Sequence, residues 1–185
     1  MVIILRVISG DLKGRNIKGF TLDGTRPTMD RVKESMFGSI QTIIPNSVFL
    51  DLFAGSGSIG IEAISNGAAK AYFVDNNKLA ISIIKENIDT FNINEQSEVL
   101  KMDYNEALKY FYNNNITFDV IFIDPPYAMH IINEILDKIS KYKLLYDDGV
   151  IICEVDNDYL KENIGDLSLN KNKKYGSSYL YFYKK

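Results

Sequence analysis

Asp124-Pro125-Pro126-Tyr127 stands directly after the apolar run Phe118-Asp119-Val120-Ile121-Phe122-Ile123. A short apolar run of this kind reads as a buried strand. It delivers a carboxylate, two rigid prolines and an aromatic ring to one edge of a sheet, the edge where open α/β sheets bind ligands. Proline lacks an N–H and pushes the residue before it into an extended conformation, so Asp124 and Pro125 cannot continue a ladder. Their carbonyl oxygens stay free to accept. A fixed carboxylate beside a fixed carbonyl suits a planar amino group with two N–H bonds to give, and Tyr127 offers a face on which a flat heterocycle can stack. The same residues would also serve as an ordinary proline stop at the end of a strand. A second site upstream argues for chemistry.

That site is Asp51-Leu52-Phe53-Ala54-Gly55-Ser56-Gly57-Ser58-Ile59-Gly60, in which Gly55, Gly57 and Gly60 satisfy a GxGxxG pattern between an expected strand and an expected helix. Asp75 follows 20 residues after Gly55, at the tip of the next strand, where an acid would bind ribose hydroxyls. The combination points to a nucleoside cofactor. Asp51, near the end of the first strand, would repel a dinucleotide pyrophosphate and welcome a cation. S-adenosylmethionine (SAM) carries an amino group and a sulfonium and no phosphate. Asp103, after the third strand, could take its adenine amine, although a helix cap would use Asp103 equally well. Asp51, Asp75, Asp103 and Asp124 then form an acidic rim that suits SAM better than NAD.

These residues need strands and helices to position them. Leu5 to Gly10 reads as a strand, Lys13-Gly14-Arg15 as a basic turn, and Asn16-Ile17-Lys18 as a return strand. A helix is expected from Arg26-Pro27-Thr28, with Thr28 as N-cap and Val32, Met36, Phe37, Ile40 and Ile44 as its apolar stripe. Arg26, Arg31 and Lys33 are expected to face elsewhere. From Val48 strands and helices alternate: strands at 48–53, 71–75, 98–102, 118–124 and 149–154, with helices at 59–65, 79–91, 106–112 and 131–145. This is the pattern of a doubly wound, mostly parallel α/β sheet. Two last strands, 167–169 and 179–183, are expected to form an antiparallel edge joined through a turn at Asn170-Lys171-Asn172-Lys173-Lys174. The organisation expected is one domain over residues 1–185, with 1–45 as an N-terminal hairpin and basic helix and 46–185 as the cofactor-binding fold.

With 46% hydrophobic and 24% charged residues the chain is ordinary for a globular protein, which excludes wholesale disorder. It has no apolar run of membrane-spanning length and no signal-peptide pattern at its start, so a cytoplasmic protein is expected. The single cysteine, Cys153, lies in an apolar run and reads as a small buried hydrophobe. No metal is expected. The net charge of −3 hides an uneven distribution. Residues 1–40 carry seven basic and four acidic side chains and residues 161–185 six and two, which leaves the middle at −10. Basic ends around an acidic middle can bind a polyanion while the middle holds a small cation. Arg6, Lys13, Arg15, Arg26, Arg31 and Lys33 are the expected contacts before the acidic fold, with Lys171, Lys173 and Lys174 after it.

Asp51-Leu52-Phe53-Ala54-Gly55-Ser56-Gly57 together with Asp124-Pro125-Pro126-Tyr127 resembles the SAM-dependent amino-group methyltransferases of the seven-stranded class I, Rossmann-like fold. The closer resemblance is to the RsmD-type small-subunit (16S) ribosomal RNA guanine-N2 methyltransferases. It is carried by Arg6-Val7-Ile8-Ser9-Gly10 with Lys13-Gly14-Arg15, by Arg26-Pro27-Thr28 with Arg31-Val32-Lys33-Glu34-Ser35-Met36-Phe37, by Glu62-Ala63-Ile64-Ser65-Asn66-Gly67-Ala68, and by Tyr175-Gly176. Asp75 stands where that family usually has Glu, and Asn66 where it often has Arg. The resemblance implies a monomeric enzyme that methylates a guanine N2 in ribosomal RNA or a small-subunit assembly particle. Asp124, Pro125, Pro126 and Tyr127 would be catalytic, and Asp51, Phe53, Gly55, Gly57, Asp75 and Asp103 would bind SAM. The alternatives are methylation of another RNA or of DNA adenine, an NAD-binding oxidoreductase on the same glycine turn, and a non-enzymatic RNA-binding protein.

Overall fold

The computed structural model describes residues 2–20, 30–126, 131–156, 160–176 and 178–185. Val2–Arg6 (β1) and Asn16–Phe20 (β2) pair antiparallel, with Leu5 opposite Ile17. The first strand ends earlier than the expected 5–10 because Ile8 and Ser9 donate their N–H groups to the Glu62 carboxylate. Helix α1 spans Asp30–Ile40. Its expected N-cap, Thr28, and Arg26 lie outside the described residues, as does Tyr127. The chain then runs through Val48–Asp51 (β3), Ser58–Ser65 (α2), Lys70–Asp75 (β4), Lys78–Phe91 (α3), Ser97–Lys101 (β5), Tyr104–Asn113 (α4), Phe118–Ile123 (β6), Ile132–Tyr142 (α5) and Leu145–Val155 (β7). It ends with Asn163–Ile164 (β8), Leu167–Tyr175 (β9) and Ser178–Lys184 (β10).

Among the described residues the main sheet has eight strands, in the order β5-β4-β3-β6-β7-β10-β9-β8. The seven-strand expectation is exceeded by β8, which is only two residues long. Strands β3 to β7 pair in parallel, and β10, β9 and β8 are added antiparallel. The strand order reverses between β3 and β6, the topological switch point at which such sheets leave a crevice beyond their carboxyl ends.

The last hairpin corrects one expectation. Residues 170–174 are not a turn but the middle of β9, and the chain reverses after Tyr175 at Gly176, whose φ is 58°. A polar sequence holds this strand because its lysine stems cover rings of β10. Lys171 Nζ lies 4.8 Å from the Phe182 ring centre, and Lys174 Nζ 4.9 Å from that of Tyr179.

Strand alternation divides the core into two layers. Phe49, Phe73, Phe122, Ile152 and Phe182 face α1, α2, α3 and the hairpin residues Val7 and Ile17. Leu50, Val74, Ile121, Ile123 and Cys153 face α4 and α5. The hairpin's return loop is fastened to α2: Asp11 N donates to Ser65 O (2.8 Å), and Ser65 Oγ donates to Ser9 O (2.6 Å). Asn66, the C-cap of α2, joins this contact by donating to Ser9 Oγ and Glu62 O, each at 2.8 Å.

Candidate active site

The glycine turn forms as the spacing predicts, and the structure supplies the reason for each glycine. Gly55 and Gly57 adopt φ of 55° and 79°, the left-handed region that glycine enters without steric cost. Gly60 is needed for packing, since a Cβ there would sit 2.3 Å from the Phe73 ring. The two acids of the turn hold its backbone. Asp75 accepts from Gly55 N at 2.9 Å and from Asn77 N at 2.8 Å, and Asp51 accepts from Gly60 N at 3.1 Å, in the first turn of α2. Gly57, at the N-cap of that helix, has no side chain to cap it, so Asp51 reaches across from β3 to satisfy an end that would otherwise lack an acceptor.

The carboxylates share one side of the sheet. Asp51 continues the alternation of Phe49, Asp75 that of Phe73, Asp124 that of Phe122, and Glu154 that of Ile152. Because β4, β3, β6 and β7 are neighbours in that order, the four acids make a row across the carboxyl edge at the switch point. Glu154 is the member that the sequence reading left as an ordinary strand residue. The signal was a charged residue near the end of an otherwise apolar strand, and the register of Ile123 with Cys153 brings it beside Asp124. Glu154 is buried, at 4% exposure.

Crowding these acids has an electrostatic cost. Burial pushes Asp51 up to about 7, against an ordinary value of 3.8, with the Gly60 N–H opposing and the Asp75 charge adding to the rise. Asp75 is also raised, by burial. Asp124 is raised well above the usual carboxylate range, chiefly by burial and then by the charges of Glu154 and Asp51. A cation placed along such a row would favour the ionised form of each of these acids. Among the described residues, no group of three acidic, Cys or His side chains converges to hold a metal ion; the acids are strung along the edge.

A pH-dependent stability follows. Asp51 has a folded value above its unfolded one, so the native state keeps a proton that the unfolded chain releases, and native stability falls as pH rises from about 4 to about 7. Asp51→Asn removes that liability. It is expected to stabilise the ligand-free protein by roughly 2–4 kcal/mol at pH 8 and to give no advantage near pH 4, as urea unfolding at both pH values measures. A difference that does not change with pH would show that Asp51 is not the group responsible.

The remaining expected residues divide. Asp103 forms a capping box with Glu106 at the start of α4, and both backbone bonds it accepts fall on Oδ1. Phe53 packs 6.0 Å from the ring of Tyr104, the residue next to Asp103, so the loops after β3 and β5 meet at the rim. Pro125 is buried and Pro126 exposed.

The basic residues of the N-terminal part are mostly committed within the protein. Lys33 is a correction: only 2% exposed, it donates to Arg6 O at 2.7 Å and pairs with buried Glu62 at 3.3 Å. It lies on the buried stripe of α1, because Lys33, Met36, Phe37 and Ile40 recur at helical spacing. Arg15 donates to Thr90 O at 2.7 Å and stacks 4.4 Å over Phe91, closing the end of α3. Arg6 pairs with Asp30 on the surface at 2.8 Å. Lys13 and Arg31 are exposed.

Comparison with known proteins shows the family. The family described as "Conserved hypothetical protein 95" (Cons_hypoth95) matches residues 5–184. The protein YlbH of Bacillus subtilis is 40% identical over 182 residues, 98% of this chain and 99% of that one. Ribosomal RNA small subunit methyltransferase D of Haemophilus influenzae is 35% identical over 155 residues, 83% of this chain and 80% of its own. The solved structure of the Escherichia coli protein yhhF superposes with a TM-score of 0.85 at 26% identity, covering 98% of each chain. With the family match spanning nearly all its length and a full-length relative at 40% identity, the chain belongs to the Cons_hypoth95 family, that of the RsmD-type methyltransferases.

Proposed function

We propose that the protein transfers a methyl group from SAM to the exocyclic N2 amine of a guanine in small-subunit ribosomal RNA. Family membership supports the broader statement, an rRNA methyltransferase. The observation that carries the finer reading is the Asp124-Pro125-Pro126 segment within the acid row, directly beyond β6 at the switch point. The row suits SAM by its chemistry, since four closely placed carboxylates oppose a phosphate-bearing cofactor and favour an ammonium and a sulfonium. When bound, SAM supplies a methyl group made electrophilic by the positive sulfur. In this reading Asp75 accepts from the ribose hydroxyls, Asp51 faces the amino group, and Asp103 offers Oδ2 to the adenine amine. Gly55 and Gly57 allow the backbone to approach, with Phe53 beside them.

A guanine amino group is a poor nucleophile because its lone pair is delocalised into the ring. Accepting its two N–H bonds at Asp124 and at the Pro125 carbonyl fixes the direction of that lone pair. Positioning of this kind is worth up to roughly 7–11 kcal/mol in intramolecular systems. The methylated amine must then lose a proton, and the raised proton affinity of Asp124 makes it a competent acceptor. Pro126 stiffens the segment, and the motif assigns base stacking to Tyr127.

Calorimetry and product analysis test the reading. Tight binding of SAM and of its demethylated product, with none of NAD, is expected. Asp75→Ala should weaken SAM by roughly 1–3 kcal/mol through lost charge-assisted hydrogen bonds, and unchanged affinity would remove Asp75 from the cofactor site. Mass spectrometry of ribosomal RNA treated with enzyme and SAM should locate the new methyl on guanine N2. A methyl on adenine N6 instead would overturn the assignment of the base.

A further inference from the structure

Basic side chains that an enzyme keeps for a polyanion should not be spent on its own carboxylates. Most of the N-terminal set fails that criterion: Lys33 is buried with Glu62, Arg6 is paired with Asp30, Lys18 with Glu86, and Arg15 is tied to α3, which leaves Lys13 and Arg31 exposed. Lysines at the far edge of the sheet meet it. Lys171 and Lys173 on β9 and Lys184 on β10 lie on the α1 side of the sheet, and none has an ion pair among the described residues. They repel one another instead, since Lys171 is lowered by burial and then by Lys173 and Lys184. Lys173 donates to two hydroxyls of α1, Ser39 Oγ at 2.8 Å and Ser35 Oγ at 3.4 Å, which hold its ammonium beside the other charges.

Register connects this strip to the site. Lys173 pairs with Leu180, Leu180 with Glu154, and Glu154 stands beside Asp124. Lys173 is thus in the same cross-strand row as Asp124, three strand spacings or roughly 14 Å away. Lys171 and Lys184 continue down the sheet from it. Among the described residues, the outer edge of β9 has no neighbouring strand beyond the short pairing with β8 at residues 167 and 168.

We propose that Lys184, Lys171 and Lys173, the last held in place by the Ser35 and Ser39 hydroxyls, form the track along which RNA phosphates run to the mouth at Asp124. This rests on the rRNA reading above and names the surface that serves it. The competing role for edge lysines is to guard an open strand against pairing with another chain. That role needs charge on the edge, but it does not need the lysines gathered on one face, aligned with the acid row and supported by hydroxyls.

The test is Lys171→Glu with Lys184→Glu, compared with Lys171→Gln with Lys184→Gln, each assayed for SAM affinity, RNA affinity at several salt concentrations, and size in solution. For single-stranded RNA, loss of two phosphate contacts is expected to lower the slope of log affinity against log salt by roughly 1.4 in both variants. The reversal should weaken binding more than the neutral pair, with SAM affinity unchanged. RNA affinity and slope equal to wild type would overturn the track alone, and self-association of the variants with unchanged RNA affinity would assign the lysines to edge protection. Wild-type protein that binds SAM but no ribosomal RNA would overturn both the track and the substrate reading.

Discussion

Replacing Asp124 with asparagine or alanine is expected to abolish methyl transfer while SAM affinity stays within a few-fold of wild type. Asp124 is the acid of the row that the prolines follow, and the cofactor contacts proposed above fall on Asp51, Asp75 and Asp103. In the function proposed above, loss of the carboxylate removes both the acceptor that orients the target amine and the group that takes its proton. The folding control is built into the same residue. Burial, together with Glu154 and Asp51, raises Asp124 well above the ordinary carboxylate range, so the native state binds a proton that the unfolded chain has released. Stability from this group is present at low pH and is lost as pH rises. The ligand-free Asp124→Asn protein should therefore unfold no earlier than wild type at pH 8. Wild-type turnover should rise with pH across the range in which Asp124 ionises. An Asp124→Asn enzyme that still turns over, or one that has lost SAM binding as well, would move Asp124 to another role.

Glu62→Ala should cost roughly 3–5 kcal/mol of folding stability, a figure typical of breaking one partner of a buried ion pair. Glu62 is fully buried and accepts from Ile8 N (3.0 Å), Ser9 N (2.7 Å), Ser9 Oγ (2.8 Å) and Lys33 Nζ (3.3 Å). One carboxylate on α2, two residues beyond Gly60, thus joins the hairpin, α1 and the glycine turn. Its removal leaves the Lys33 ammonium in the core with Arg6 O as its acceptor among the described residues. Adding Lys33→Met should recover part of the loss, because the stranded charge goes with it, while the N–H groups of Ile8 and Ser9 stay unsatisfied. Urea unfolding of the single and double variants measures this. A cost below about 1 kcal/mol for Glu62→Ala would mean that water reaches the pair.

Much of this was legible in the residues themselves. The glycine turn, Asp75 at the next strand tip and the strand before Asp124 are local patterns, each written within a few residues and each forced by backbone sterics. The alternation of strands and helices is local too, and it led to the parallel sheet and to the edge where the acids sit. Where the reading went wrong, a local rule was applied to a side chain whose partner is distant. Lys33 was sent to the surface because it is charged, although its spacing from Met36 and Phe37 put it on the buried stripe; Glu62, 29 residues away, makes that burial tolerable. Residues 170–174 looked like a turn because they are polar, and only the aromatic rings of β10 explain why a polar strand forms there. Glu154 acquires its place beside Asp124 from the parallel register of β6 and β7. Backbone conformation and hydrophobic period are set by neighbours in sequence, which one chain displays; the environment of a charge is set by neighbours in space, and for Lys33, Glu154 and the β9 lysines only the folded sheet brings those neighbours together.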